Sequence, residues 1–116
     1  MYKVTIKVGK EKKVYLVDTD EASIAENIVS KTEDATVVKI EFSKIEKIDY
    51  DSIIESHQGL TYFELTGEYI STDGNIVKEK ILYQHDSLIK AITDYEEKYK
   101  NTVISGKKTE IVDILN

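Results

Sequence analysis

Hydrophobic and polar side chains alternate along residues 2–8 and again along residues 13–17, with a turn between them at residues 9–12. A period of two is typical of strands with one buried face, so we expect a hairpin. From residue 21 to about residue 31, the apolar side chains recur at helical spacing. A third strand is expected to begin at residue 36 and to continue in some form to residue 48. The first half of the chain therefore predicts the order strand, strand, helix, strand.

The second half of the chain repeats this order. Residues 61–83 predict a second hairpin, because Asp73-Gly74 lies in a polar turn and Gly tolerates the positive φ of tight turns. A second helix is expected to end at Asn101, followed by a strand that begins Thr102-Val103-Ile104. A shift of 66 residues places this tripeptide on Thr36-Val37-Val38 and aligns both helix starts without a gap. The pattern therefore predicts a duplicated ββαβ unit.

The predicted fold class is α+β. One unit of about fifty residues has a single helix for three strands and buries too little apolar surface to fold alone. Two copies that pool their strands in a shared, mostly antiparallel sheet and place both helices on one face would form a two-layer sandwich. We expect a single domain over residues 1–116, with repeat 1 at about 1–48, a linker at 49–60 and repeat 2 at about 61–116.

The second strand of each predicted repeat is apolar on both faces. Such strands are typically central in a sheet and buried on both sides. Since the helices cover only one face, the other face needs cover from the linker, from the C-terminal segment or from a second protomer. If the cover is a partner, the residues predicted to bind it are Tyr15, Val17, Ile81 and Tyr83.

Composition narrows the possible chemistry of the 116 residues. The chain has no Cys, Pro, Trp or Arg, and its 16 Lys face 22 Asp and Glu, which gives a net charge of −6. The absence of Cys excludes a disulfide scaffold, a thiolate metal site and a Cys nucleophile. No apolar stretch approaches the roughly 20 residues of a membrane span, and the N-terminal residues lack the apolar core of a signal peptide. We therefore expect a cytoplasmic protein that does not contact a membrane.

Few residues suggest catalysis or metal binding. The acidic cluster Asp18, Asp20 and Glu21 offers oxygen ligands, but it lacks the Gly and the distal Glu of a calcium loop, and helix capping explains it. His57 and His85 have no metal-binding spacing, so we expect surface or capping roles for them. Phosphate loops, dinucleotide fingerprints and nucleophile elbows are absent from the sequence. We predict no catalytic residue, no metal site and no cofactor.

One stretch of the chain is locally basic. Single-stranded nucleic acid binders combine such a stretch with aromatic side chains on which bases stack. A solvated hairpin tip, whose charges discourage pairing at the sheet edge, explains the same residues. The net charge of −6 and the absence of Arg disfavour binding to a phosphate backbone. If nucleic acid does bind, the predicted contact residues are Lys3, Lys7, Lys10, Lys12, Lys13 and Tyr2.

Several short segments resemble a domain-of-unknown-function family of small proteins from Bacteroidetes genomes and their phages. The chain departs from this family in having no Trp before Tyr62. The resemblance implies no catalytic activity, and it implies a phage or mobile-element origin with a cytoplasmic location in an infected bacterial host. The matching segments are Tyr15-Leu16-Val17-Asp18, Asp20-Glu21-Ala22, Thr36-Val37-Val38, Tyr62-Phe63, Asp73-Gly74 and Thr109-Glu110-Ile111-Val112-Asp113-Ile114.

These observations favour a small non-enzymatic binding protein. We expect it to act through protein–protein contacts of its sheet face, either with another protein or with a second copy in a homo-oligomer. The alternative is a single-stranded DNA-binding accessory protein that uses the basic N-terminal hairpin.

Overall fold

The computed structural model describes residues 1–32, 36–54 and 60–116. Within these residues the protein is a small α+β sandwich with two α-helices and eight strands, as the sequence predicts. The first half forms β1 Tyr2–Val8, β2 Glu11–Val17, α1 Ala22–Thr32, β3 Thr36–Phe42, β4 Lys47–Ile48 and a 3₁₀ turn at Tyr50–Ser52. The second half forms β5 Thr61–Ile70, β6 Ile76–His85, α2 Leu88–Tyr99, β7 Thr102–Lys108 and β8 Ile111–Leu115.

The described strands form two four-stranded sheets, in the orders β3-β1-β2-β8 and β4-β6-β5-β7. The expectation of one sheet pooled from both repeats is therefore wrong. The reason is that β4 pairs in parallel with β6, while β8 pairs in parallel with β2. Each repeat is thus a ββαββ unit that contributes its last strand to the sheet of the other repeat.

The chain divides into two compact units that follow this exchange of strands. The first unit contains residues 1–44 and 110–116, and the second contains residues 45–109. The unit boundaries lie just before the exchanged strands, rather than in the segment 49–60 expected to be a linker. Part of that segment, residues 55–59 with His57, lies outside the described residues.

The pairing registers of the two sheets confirm the repeat. The strands β3 and β7 match over their whole length at a shift of 66 residues, and the two helices begin at Ala22 and Leu88, which differ by the same shift. Each sheet has a β-bulge at the equivalent place, because the ladders pass over Val38 in β3 and Ile104 in β7. The two parallel pairings also correspond, with Tyr15 beside Asp113 and Ile81 beside Lys47.

A hydrophobic core lies beneath each helix, and β2 and β6 are central strands as the sequence predicts. Equivalent positions of the two repeats build the two cores. The buried residues under α1 are Val4, Ile6, Tyr15, Val17, Ala25 and Val29. Those under α2 are Phe63, Leu65, Ile81, Tyr83, Ala91 and Tyr95.

The two cores fill one equivalent space in opposite ways. In the first unit, Ile6 on β1 and Val29 on α1 are both fully buried. Their counterparts in the second unit are Gly67 and Tyr95, so a small residue on the strand accompanies a large one on the helix. A Cβ atom at Gly67 would overlap the Tyr95 hydroxyl and would lie 2.6 Å from Tyr95 Cζ. The Tyr95 ring therefore occupies space that is open only because residue 67 is glycine.

We predict that Gly67→Ala lowers the free energy of unfolding by at least about 2 kcal/mol, because an added carbon atom overpacks this site. Combining it with Tyr95→Val, the residue type found on α1, should cost less than the sum of the two single changes. Urea denaturation of the wild type, both single variants and the double variant measures this coupling. Strict additivity would contradict the proposed exchange of side-chain volume.

Candidate functional site

The four residues predicted to bind a partner are buried. Tyr15, Val17, Ile81 and Tyr83 are at most 7% exposed and belong to the cores under the helices. In the ladders Tyr15 lies directly opposite Val4, and directly opposed side chains share a face of the sheet. The sequence argument therefore assigned these side chains to the wrong face, because a strand that is apolar on both sides has no alternation to orient it.

The basic residues of the first hairpin are divided between its two faces and its turn. Lys13 lies opposite Ile6 and so shares the helix side of the sheet. Lys10 is in the two-residue turn between β1 and β2, and Tyr2 packs against the core. The Tyr2 ring also contacts Phe42 edge-on, with centroids 5.6 Å apart. The remaining basic side chains, which share the face away from α1, are Lys3, Lys7 and Lys12.

Capping involves fewer of the predicted acidic residues than expected. The Thr19 hydroxyl, rather than Asp18 or Asp20, accepts a hydrogen bond from the backbone N–H of Glu21 at 3.4 Å before α1. The Ser87 hydroxyl caps α2 by accepting from the backbone N–H of Lys90 at 3.2 Å. Among the described residues, no group of three or more His, Asp or Glu side chains could hold a metal ion.

His85 is held between two carboxylates in the second unit. Its Nδ1 lies 2.7 Å from Asp86 Oδ1 and its Nε2 lies 2.8 Å from Asp94 Oδ2. A general base needs a ring nitrogen that can reach a substrate proton. Since both nitrogens of His85 already have close partners, its role is to join the end of β6 to α2.

Asp49 is the centre of a hydrogen-bond network that the sequence analysis did not identify. Its carboxylate accepts from the Tyr99 hydroxyl at 2.5 Å and from Lys98 Nζ at 3.0 and 3.2 Å. It also accepts from the backbone N–H of Ser52 at 3.1 Å and so caps the 3₁₀ turn. Lys98 in addition bonds Asp51 at 3.2 Å. The network fastens the segment after β4 to the last turn of α2.

The surroundings of Asp49 keep it charged although it is only 3% exposed. Burial acts to raise the pKa of Asp49, but the hydrogen bonds from Tyr99 and Lys98 outweigh it and lower that pKa below 3.8. Burial and the bond to Asp49 raise the pKa of Tyr99. Hydrogen bonding to Asp49 raises the pKa of Lys98. The network therefore consists of a carboxylate, an ammonium and a neutral phenol.

A cavity of about 320 Å³ lies in the second unit, beside β6 and α2. It combines apolar side chains with several polar groups, which is the usual composition of a small-molecule site. Its lining residues are Asp51, Ser52, Ile54, Leu60, Tyr83, Gln84, His85 and Asp94.

The tip of the second hairpin differs from the tip of the first. The two ladders are equivalent up to Val8 opposite Glu11 in β1–β2 and Tyr69 opposite Val77 in β5–β6. Beyond that point the first hairpin has only a two-residue turn. The second hairpin continues with one more pair, Ile70 opposite Ile76, followed by the turn 71–75.

The side chains of this added pair are exposed. Ile70 is 74% and Ile76 is 66% exposed. Because they add to a framework that the first repeat completes without them, they make no evident contribution to the core. The sequence held a signal for this surface, the unequal turn lengths of the two repeats.

We predict that Tyr99→Phe lowers the free energy of unfolding at neutral pH by about 2 kcal/mol, since it removes a hydrogen bond to a buried charge. The lowered pKa of Asp49 contributes stability that is present above pH 3.8 and is lost as the pH falls through its folded-state pKa. The difference between wild type and variant should therefore shrink below pH 3.8. Urea denaturation across this range measures it.

Tyr69→Phe is the matched control, because it removes the same hydroxyl from a side chain that is 37% exposed. Its effect on stability should be small and should not change with pH. A Tyr99→Phe effect that is equally independent of pH would contradict the role assigned to Asp49.

Comparison with family models, with curated proteins and with solved structures finds no match to this chain. In the described part of the chain, neither helix is long and apolar enough to cross a membrane. The resemblance to the family of Bacteroidetes and phage proteins stays a prediction.

Proposed function

We propose that this chain is a non-enzymatic protein-binding module whose contact surface is the tip of the β5–β6 hairpin. The single observation that carries the proposal is the exposed pair Ile70 and Ile76, which the second hairpin has in addition to the shared framework. Two large apolar side chains at adjacent exposed positions lower solubility unless a partner covers them. The proposal thus moves the expected contact from the sheet face to a hairpin tip.

The turn that joins the two isoleucines is held by its own hydrogen bonds. Asp73 accepts from the Ser71 hydroxyl, from the backbone N–H of Asn75 at 3.3 Å and from its side-chain amide at 3.0 Å. The backbone N–H of Ser71 donates to the Asn75 carbonyl at 2.8 Å, and Gly74 has a φ of +86°. A tip that is ordered before binding loses little conformational entropy when it binds.

The edges of the two sheets favour a tip contact over the addition of a strand. In the described sheets, β3 and β7 are edge strands, and each carries a bulge, at Val38 and at Ile104. Bulges interrupt the regular row of backbone groups that another strand would pair with. Side chains at the hairpin tip are therefore the better candidates for recognition.

The contacts of the polar side chains support a binding role rather than catalysis. Both nitrogens of His85 are engaged by carboxylates, and the Asp49 carboxylate is used by Tyr99, Lys98 and the 3₁₀ turn. These groups hold the framework together instead of facing a substrate.

We expect the double variant Ile70→Thr/Ile76→Thr to fold normally and to lose binding. Each change removes roughly 1 kcal/mol of apolar burial from an interface, which corresponds to about tenfold in affinity. The measurement selects peptides from a displayed random library on the immobilised wild-type chain. Fluorescence anisotropy then compares the affinity of the selected peptides for wild type and variant.

Ile89→Thr is the matched control, because Ile89 on α2 is 78% exposed and thus at least as accessible as the tip residues. It should bind the selected peptides as the wild type does. Peptides that bind the tip variant with undiminished affinity would refute the proposal. Size-exclusion chromatography with light scattering of the same proteins tests whether a second copy occupies the tip.

A second candidate function, binding of single-stranded DNA, is favoured by one observation. Lys7 lies directly opposite Lys12 in the β1–β2 ladder, and like charges in this arrangement destabilise a hairpin. The equivalent pair in β5–β6 is Glu68 and Lys78, which attract each other. The framework therefore does not require two lysines there, and bound phosphate groups would offset their repulsion. Tyr2 packs on the core, so this binding would rest on phosphate contacts.

Lys7→Glu gives the first hairpin the charge pairing of the second. We expect it to raise the free energy of unfolding by roughly 0.5 kcal/mol, because repulsion becomes attraction. Its affinity for labelled oligothymidylate at low salt should fall, since a phosphate contact is lost. Lys44→Glu makes the same change of charge at an exposed site outside the strands and is the control. Absence of salt-dependent binding by the wild type, or equal losses in both variants, would remove this candidate.

A further inference from the structure

The cavity beside β6 and α2 contains a buried polar group that the framework does not use. Tyr83 lines the cavity and is 7% exposed. Its hydroxyl makes no hydrogen bond to any residue that the structure describes, in contrast to the hydroxyls of Tyr95 and Tyr99. Buried hydroxyls nearly always have a partner, because leaving one without a partner destabilises the fold. An unpartnered hydroxyl in the wall of a cavity therefore points to a ligand.

Two carboxylates in the cavity wall give that ligand its charge. Asp51 uses one oxygen for Lys98, at 3.2 Å, and Asp94 uses one for His85, at 2.8 Å. The other oxygen of each carboxylate makes no hydrogen bond within the described residues. Close to them, Asp49 adds a third negative charge, against the single positive charge of Lys98. The cavity therefore favours a cation over an anion.

The remaining wall of the cavity is apolar. Ile54 and Leu60 line it together with the ring of Tyr83. An aromatic ring attracts a nearby cation through its negative face, while aliphatic side chains favour an alkyl group. The volume of about 320 Å³ is at the lower end of the range for small-molecule sites. These properties fit a short, positively charged molecule with an apolar end.

We propose that this cavity binds a small primary alkylammonium ion. Its ammonium group donates hydrogen bonds to Asp51, Asp94 and the Tyr83 hydroxyl, and its alkyl chain lies along Ile54 and Leu60. Three donors on one nitrogen match the three acceptors that the wall offers. A divalent metal ion fits less well, because the described residues contain no group of three or more His, Asp or Glu that could hold one.

The test is a titration of the full chain with n-hexylammonium chloride, followed by two-dimensional proton–nitrogen NMR. We expect saturable shifts at Leu60, Tyr83 and Asp94. Hexanol and hexanoate at the same concentrations should produce none, since they lack the cation. Tyr83→Phe and Asp94→Asn should each weaken binding about tenfold, the loss expected for one hydrogen bond to a charged group. Tyr83→Phe should keep or raise the urea midpoint, because it removes an unpaired buried hydroxyl.

Asp86→Asn is the matched control, because Asp86 contacts the same histidine but does not line the cavity. It should bind hexylammonium as the wild type does. Equal binding of hexanol, undiminished binding by Tyr83→Phe and Asp94→Asn, or no saturable shifts with alkylammonium ions of two to eight carbons would overturn the proposal. The Ile70→Thr/Ile76→Thr variant should retain hexylammonium binding, so the cavity and the hairpin tip can fail independently.

Discussion

A strand that runs parallel to its neighbour cannot be reached from it by a tight turn, and this constraint underlies the way the two units are built. The parallel partner of β2 is β8, and the parallel partner of β6 is β4. Backbone hydrogen bonds continue both pairings beyond the strands, from Asp18 to Leu115 at 3.0 Å and from Asp49 to Leu82 at 3.0 Å. Each sheet is therefore completed by a strand from the other half of the sequence, and neither half contains all the strands of one unit.

The two halves keep the same backbone framework but fill it differently. Bulges, helix starts and parallel pairings recur at equivalent positions, whereas the pair Ile6 and Val29 becomes Gly67 and Tyr95. The Asp49 network belongs to the second unit, where it fixes the segment after β4 to α2. The residues available for recognition, at the β5–β6 tip and in the cavity beside Tyr83, also belong to the second unit. The first unit departs from its counterpart mainly in the charges of its hairpin.

The elements of the fold could be predicted from the sequence because each rests on a local pattern. Alternation gave the hairpins, and the shift of 66 residues aligned both helices and the strands β3 and β7. The exchange of β4 and β8 could not be predicted, since a short apolar strand carries no label for its partner sheet. The orientation of Tyr15 and Val17 failed for a related reason, because β2 is apolar on both faces.

The candidate sites depended on contacts between residues distant in the sequence. Asp49 bonds Lys98 and Tyr99 about fifty positions away, and no spacing rule connects them. The unpartnered hydroxyl of Tyr83 is visible only when its neighbours are known. The exposed pair Ile70 and Ile76, by contrast, was accessible to sequence reasoning, because the aligned repeats differ in the length of their hairpin turns.

The exchange of strands has a consequence for synthesis on the ribosome. The sheet begun by β1 lacks its fourth strand until residues 111–115 have been translated and have left the exit tunnel. The second unit, which spans residues 45–109, has all its strands earlier. Domains generally fold as soon as their chain is available, and contacts between distant residues form slowly. The order of completion is thus inverted relative to the order of translation, and the N-terminal strands are the ones that need protection while the chain grows.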